Sequence, residues 1–134
     1  MKYFRHILLR FTHAVEIGAY LAYLGHFKRT GEAGIYRILI EEKEHRETIV
    51  AILGLHHKRP FILFDLAFFV IGTIIQQLCR IAPIRSLGFV ARVMEIFAVV
   101  SYNVLAKLYP NYSITFHQMA DTEGRHELYF AKGA

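Results

Sequence analysis

Apolar residues recur along the 134-residue chain at intervals of three and four, and no stretch alternates convincingly with period two. The pattern predicts five helices with short connections. The first runs from about Tyr3 to Phe27 and stops near Thr30-Gly31-Glu32-Ala33-Gly34, a turn by its glycines. The second extends to Leu53, with Gly54 in the helix-ending position. Leu55 to Arg59 reads as a loop, and Pro60 suits the first turn of a third helix reaching Ile81. Pro83 breaks that helix, and Ser86 is a candidate N-cap for a fourth that runs to Tyr109. Pro110 stops the fourth, and Ser113 caps a fifth that continues to about Phe130. Neither repeats of solenoid period nor low-complexity tracts interrupt the pattern, so residues 1–134 read as a single all-α domain.

Composition narrows the function classes. The chain is 54% hydrophobic and only 20% charged, which excludes disorder. One cysteine excludes an intramolecular disulfide framework and any all-cysteine metal site. A net charge of +5 favours anionic partners. The basic residues are scattered without polar readers between them, so acidic lipid headgroups are favoured over nucleic acid. The first ten residues lack the uninterrupted apolar stretch and cleavage site of a secretory signal, which suggests an intracellular protein or one on the cytoplasmic face of a membrane. With the high apolar content, a peripheral place on that face is expected.

Four acidic positions carry the chemistry. Glu42-Lys-Glu-His45 and Glu123-Gly-Arg-His126 are two Glu-x-x-His pairs, and residues three apart share a helical face. Two such pairs are only a mild enrichment over random placement. The first and fourth helices sharpen the signal. Glu16 is the only acid in the first thirty-one positions, and Glu95 is the only one between Asp65 and Asp121, inside the run Phe89 to Val100. Burying a lone carboxylate costs several kcal/mol unless it is protonated, paired or bound to a metal. Satisfied ion pairs with near neighbours are the alternative: Glu16 with His13, Glu95 with Arg92, and a solvated face for Glu42 and His45 among Glu41, Glu44, Arg46 and Glu47. In order and count, Glu16, then Glu42 and His45, then Glu95, then Glu123 and His126 match the ligand pattern of ferritin-like di-iron and di-manganese bundles. Four carboxylates balance two divalent ions, and two imidazoles suit iron or manganese over calcium. Tyr102, two turns after Glu95, is a candidate hydrogen-bond partner for a ligand or a core aromatic. His6, His26, His56, His57 and His117 read as surface or loop residues, and Cys79 as a small apolar filler.

The stretches Thr12-His-Ala-Val-Glu16-Ile-Gly-Ala19, Glu42-Lys-Glu-His45, Arg59-Pro60 before an apolar helix, Met94-Glu95 with Tyr102, and Glu123-Gly-Arg-His126 resemble the demethoxyubiquinone hydroxylase family over nearly the whole chain. That family comprises ferritin-like di-iron monooxygenases of quinone biosynthesis. The resemblance implies two iron ions, with manganese compatible, held by Glu16, Glu42, His45, Glu95, Glu123 and His126. It further implies O2 and a quinone-like lipid as substrates, with a separate reductant. The chain departs from the family's usual first motif, Asp-His-Ala-Gly-Glu, with Thr12 and Val15, and carries Ser101 where many relatives have histidine. These departures bear on the substrate rather than on the ligands.

Residues 60–81 would span roughly 33 Å as a helix, about the length of such a bundle, and read as the crossover between its two hairpins. The segment 61–78 carries one charge and meets the length rule for a membrane span. Spanning would separate the two hairpins and open the ligand set. An interfacial position, with Lys58, Arg59, Arg80 and Arg85 reaching headgroups, is favoured over burial in a homo-oligomer. Two rivals use the same residues: ferritin- or rubrerythrin-like iron handling or peroxide detoxification, and a non-catalytic membrane-associated bundle clipped by metal.

Overall fold

A computed structural model describes residues 2–133 as helices α1 (Lys2–Thr30), α2 (Ala33–Leu55), α3 (Ile62–Leu78), α4 (Ile84–Leu108) and α5 (Ser113–Gly133). One 3-10 turn, Pro110–Tyr112, precedes α5, and there is no strand among the described residues. The chain divides into two compact units, one ending at Ala82 and the other starting at Pro83.

The first unit contains α1, α2 and α3. Helix α1 outlasts its predicted end because Lys28 and Arg29 suit the negative C-terminal end of a helix. It stops at Gly31, whose positive φ of 68° lets its N–H donate to the Phe27 carbonyl at 2.7 Å. Only Gly31 and Glu32 separate α1 from α2, so Ala33 and Gly34 lie in the second helix rather than in the turn. The two helices run antiparallel. Phe27 meets Tyr36 near the link, the Arg46 guanidinium lies over the Tyr20 ring, and the His6 and His56 rings approach at the far end.

Gly54 does not end α2, contrary to expectation. The terminus is a Schellman motif three residues later, with His57 in the left-handed region (φ 53°). The Lys58 N–H donates to the Leu53 carbonyl at 2.8 Å and the His57 N–H to Gly54 at 2.9 Å. Pro60 precedes the N-cap Phe61, so it leads into α3 instead of occupying its first turn.

Helix α3 runs parallel to α1 at near-backbone contact. A Cβ added to Gly72 would sit 2.8 Å from the Gly18 carbonyl oxygen and 2.9 Å from Gly18 Cα, and one added to Gly25 would sit 2.7 Å from Gln76 Cα. Only glycine permits this approach. Phe11 meets Phe64 and Phe68 edge-on beside the seam. Polar links hold the pair along its length: Arg10 Nε donates to the Arg59 carbonyl, His13 Nδ1 bonds Asp65 Oδ1 at 2.9 Å, and Arg29 Nη1 donates to the Cys79 and Ala82 carbonyls. Cys79 is buried against α1, its thiol 3.7 Å from the Ala22 carbonyl oxygen. Within α3 only Gly72 is buried, and Ile62, Leu63, Leu66, Phe69, Ile74 and Leu78 are exposed.

The second unit is the antiparallel pair α4 and α5. Helix α4 starts before Ser86, because the Pro83 carbonyl accepts the first helical bond from Leu87 although its own nitrogen cannot donate. Leu87, Ala91, Glu95, Tyr102, Leu105 and Ala106 make its buried stripe, facing Phe116, Met119, Ala120, Glu123, His126 and Phe130 of α5. Arg92 Nε donates to Glu127 Oε1, and His117 meets Asn103 at 3.1 Å.

By length and hydropathy two segments, Tyr3–Thr30 and Ile84–Leu108, are apolar enough to cross a membrane, whereas α3 is shorter. Core helices pass the same test, and half of the first segment's apolar window is buried.

Candidate metal centre

Each unit gathers two carboxylates and one imidazole. In the first, Glu16 comes from the middle of α1, and Glu42 and His45 from consecutive turns of α2. One ligand atom from each lies within 4.8 Å of the other two. In the second, Glu95 of α4 meets Glu123 and His126 of α5 within the same limit. All six residues are between 0 and 7% exposed. The solvated-face alternative for Glu42 and His45 therefore fails: the exposed face of α2 is carried by Lys43, Glu44 and Glu47, one of whose pairs is Lys43–Glu47.

The near-neighbour ion pairs fail as well. His13 turns away from the triad to Asp65, the one charge of the apolar segment. Arg92 bonds Glu127 on the outside of the pair, while Glu95 points inward. What the sequence offered as partners one turn away is thus engaged across helices.

His126 Nδ1 lies 3.0 Å from Glu123 Oε2 and 3.7 Å from Glu95 Oε2. With bonds of about 2.1 Å, two ligands at right angles on one ion stand about 3.0 Å apart, and opposite ones about 4.2 Å. Both separations fall in that range, so the donor set fits a divalent cation. Without one, burial pushes the Glu95 carboxyl up to about 8; the hydrogen bond with His126 opposes this, and Glu123 adds to it. Burial is the main cause, so an ionised Glu95 beside a second carboxyl calls for a compensating positive charge.

Tyr102 is fully buried on the α4 stripe and stacks on Phe116, with ring centroids 6.3 Å apart. Thr12, where the resembled motif has aspartate, bonds the Leu8 carbonyl of its own helix. Val15 is half-buried and Ser101 buried. Of the histidines read as surface or loop residues, His26 is corrected: it lies in the α1 core beside Ala22 and Tyr23, and burial lowers its pKa. Sequence reasoning missed the His13–Asp65 link and the glycine seam. The lone acid in an apolar run and the spacing of Gly18, Ala22 and Gly25 were the available signals.

Comparison of the chain with protein-family models, with curated proteins and with solved structures finds no match.

Proposed function

We propose that the two triads together hold two metal ions, preferentially iron, and that the protein is an O2-dependent hydroxylase of a membrane-dissolved, quinone-like ring. In this reading α1, α2, α4 and α5 form a ferritin-like bundle and α3 is its crossover. The observation that carries it is the repetition of one ligand plan: a buried glutamate on the first helix of each antiparallel pair and a buried Glu-x-x-His on the second.

Glu16, Glu42 and His45 would hold one side of the metal pair, and Glu95, Glu123 and His126 the other. Bound and reduced, such a pair supplies activation of O2 for insertion into a C–H bond. The protein's own residues provide charge and dryness. The carboxylates neutralise the ions, the apolar stripes of α2, α4 and α5 exclude water, and Tyr102 supports the second triad through its packing on Phe116. The exposed apolar side chains of α3 would lie in a bilayer interface, from which a lipid-soluble ring can enter. At 17 residues, α3 spans about 26 Å, short of the roughly 30 Å hydrocarbon core, which favours lying on the membrane over crossing it.

The test is reconstitution with ferrous iron, a count of metal per chain, then reduction and exposure to O2 with a demethoxyquinone. Two irons per chain and a hydroxylated product support the reading. Shell-sized particles that mineralise iron would transfer the protein to metal storage, and a folded chain that takes up no metal would overturn the reading.

A further inference from the structure

At the C-terminal ends of α1 and α3, within the first unit, lies a cavity of about 420 Å³ lined by Gly25, Lys28, Arg29, Gln76, Gln77 and Arg80. Its lining holds three cations and two amides and no carboxylate. Because α1 and α3 run parallel, both bring the negative ends of their dipoles here. Each is equivalent to about half a charge, so three full positive charges leave the cavity positive by about two.

The cations divide the work. Arg29 spends Nη1 on the Cys79 and Ala82 carbonyls, which fixes its guanidinium and covers the end of α3. Lys28 and Arg80 are exposed and flank it. The glycine at position 25 lets the two backbones meet beside the cavity, which keeps the charged residues of the two helices together. Gln76 and Gln77 add amide donors. Arginine forks, an ammonium and amide N–H groups match the oxygens of a phosphate group. Alongside, Ile74, Leu78 and Ile81 are 54%, 47% and 80% exposed, an apolar track starting at the cavity's own helix.

We propose that this cavity binds the phosphate of an anionic phospholipid, with the acyl chains laid along Ile74, Leu78 and Ile81. The charge selects the headgroup and the track selects a lipid over a free anion. The inference stands apart from the metal centre, since no lining residue belongs to either triad.

Calorimetric titration of the full chain with dihexanoylphosphatidylglycerol, kept below its micelle concentration, tests it. Binding should weaken at least tenfold in the double variant Lys28→Gln/Arg80→Gln. It should change less than threefold in Arg37→Gln/Lys107→Gln, which removes the same charge elsewhere. Both pairs are exposed, so helicity by circular dichroism should be unchanged. Equal losses in the two variants, or no binding by the unmodified protein, would overturn the proposal. Inorganic phosphate that binds as tightly as the lipid would leave an anion site but remove the lipid as its occupant.

Discussion

Replacing Glu95 by glutamine should have opposite effects on the metal-free and the metal-loaded protein. In the folded, metal-free chain the Glu95 carboxyl titrates at about 8, against an ordinary value of 4.5. Between those values the unfolded chain has released the proton while the folded one retains it. The folded state therefore binds more protons, and its stability falls as pH rises through this window, by about 1.4 kcal/mol per pH unit. From pH 4.5 to pH 7 the accumulated loss is about 3 kcal/mol, a large fraction of a domain's 5–15 kcal/mol. Above about 8 both states are ionised and the dependence ends. Glutamine cannot ionise, so the Glu95→Gln protein lacks this slope. Urea unfolding of both metal-free proteins at intervals from pH 4.5 to 8 should show the variant gaining on the parent by about 3 kcal/mol at pH 7 relative to pH 4.5. Ferrous iron should reverse the ranking, because the parent gains binding energy and the variant has lost a charged ligand. Parallel pH profiles would refute the burial argument. Equal iron content in the two proteins would refute the ligand assignment.

Glycine substitutions should separate the seam from open helix surface. Gly72→Ala drives a Cβ to 2.8 Å from a backbone oxygen. It should cost about 1–2 kcal/mol after the gain in helix propensity is subtracted. Gly88→Ala, with nothing within 4 Å of its added Cβ, should stabilise by about 0.5–1 kcal/mol. Thermal melts that move in the same direction for both would contradict the close approach of α1 and α3. Asp65→Ala removes the partner of a buried His13 ring and should cost about 1–2 kcal/mol, with Asp65→Asn costing less than half of that. Equal losses in urea titrations would show that the hydrogen bond is not what Asp65 contributes.

The helices were legible because periodicity reports which face is buried, and α2 and α5 keep their buried positions three and four apart throughout. The ligand candidates were legible for a related reason. Glu16 and Glu95 stand alone in apolar surroundings, and isolation of that kind is visible without coordinates. Helix ends were read less well. Gly54 looks like a stop, yet the chain reverses at His57, where backbone bonds to Leu53 and Gly54 decide the geometry. Partners distant in sequence were not readable at all. His13 has Glu16 one turn away but bonds Asp65, 52 residues on. Nothing in the residue types distinguishes the two. The seam was hidden because Gly18, Gly25 and Gly72 acquire meaning only once α1 and α3 are side by side.

The brevity of the Gly31-Glu32 link has a consequence for how such a chain can vary. One residue added or lost inside either helix between Glu16 and Glu42 would rotate the rest of that helix by about 100° about its axis. Glu42 and His45 would then swing off the side that meets Glu16. Length changes are consequently intolerable in that interval. They are better tolerated in the non-helical connection from His56 to Phe61, and homologous chains should differ in length there first.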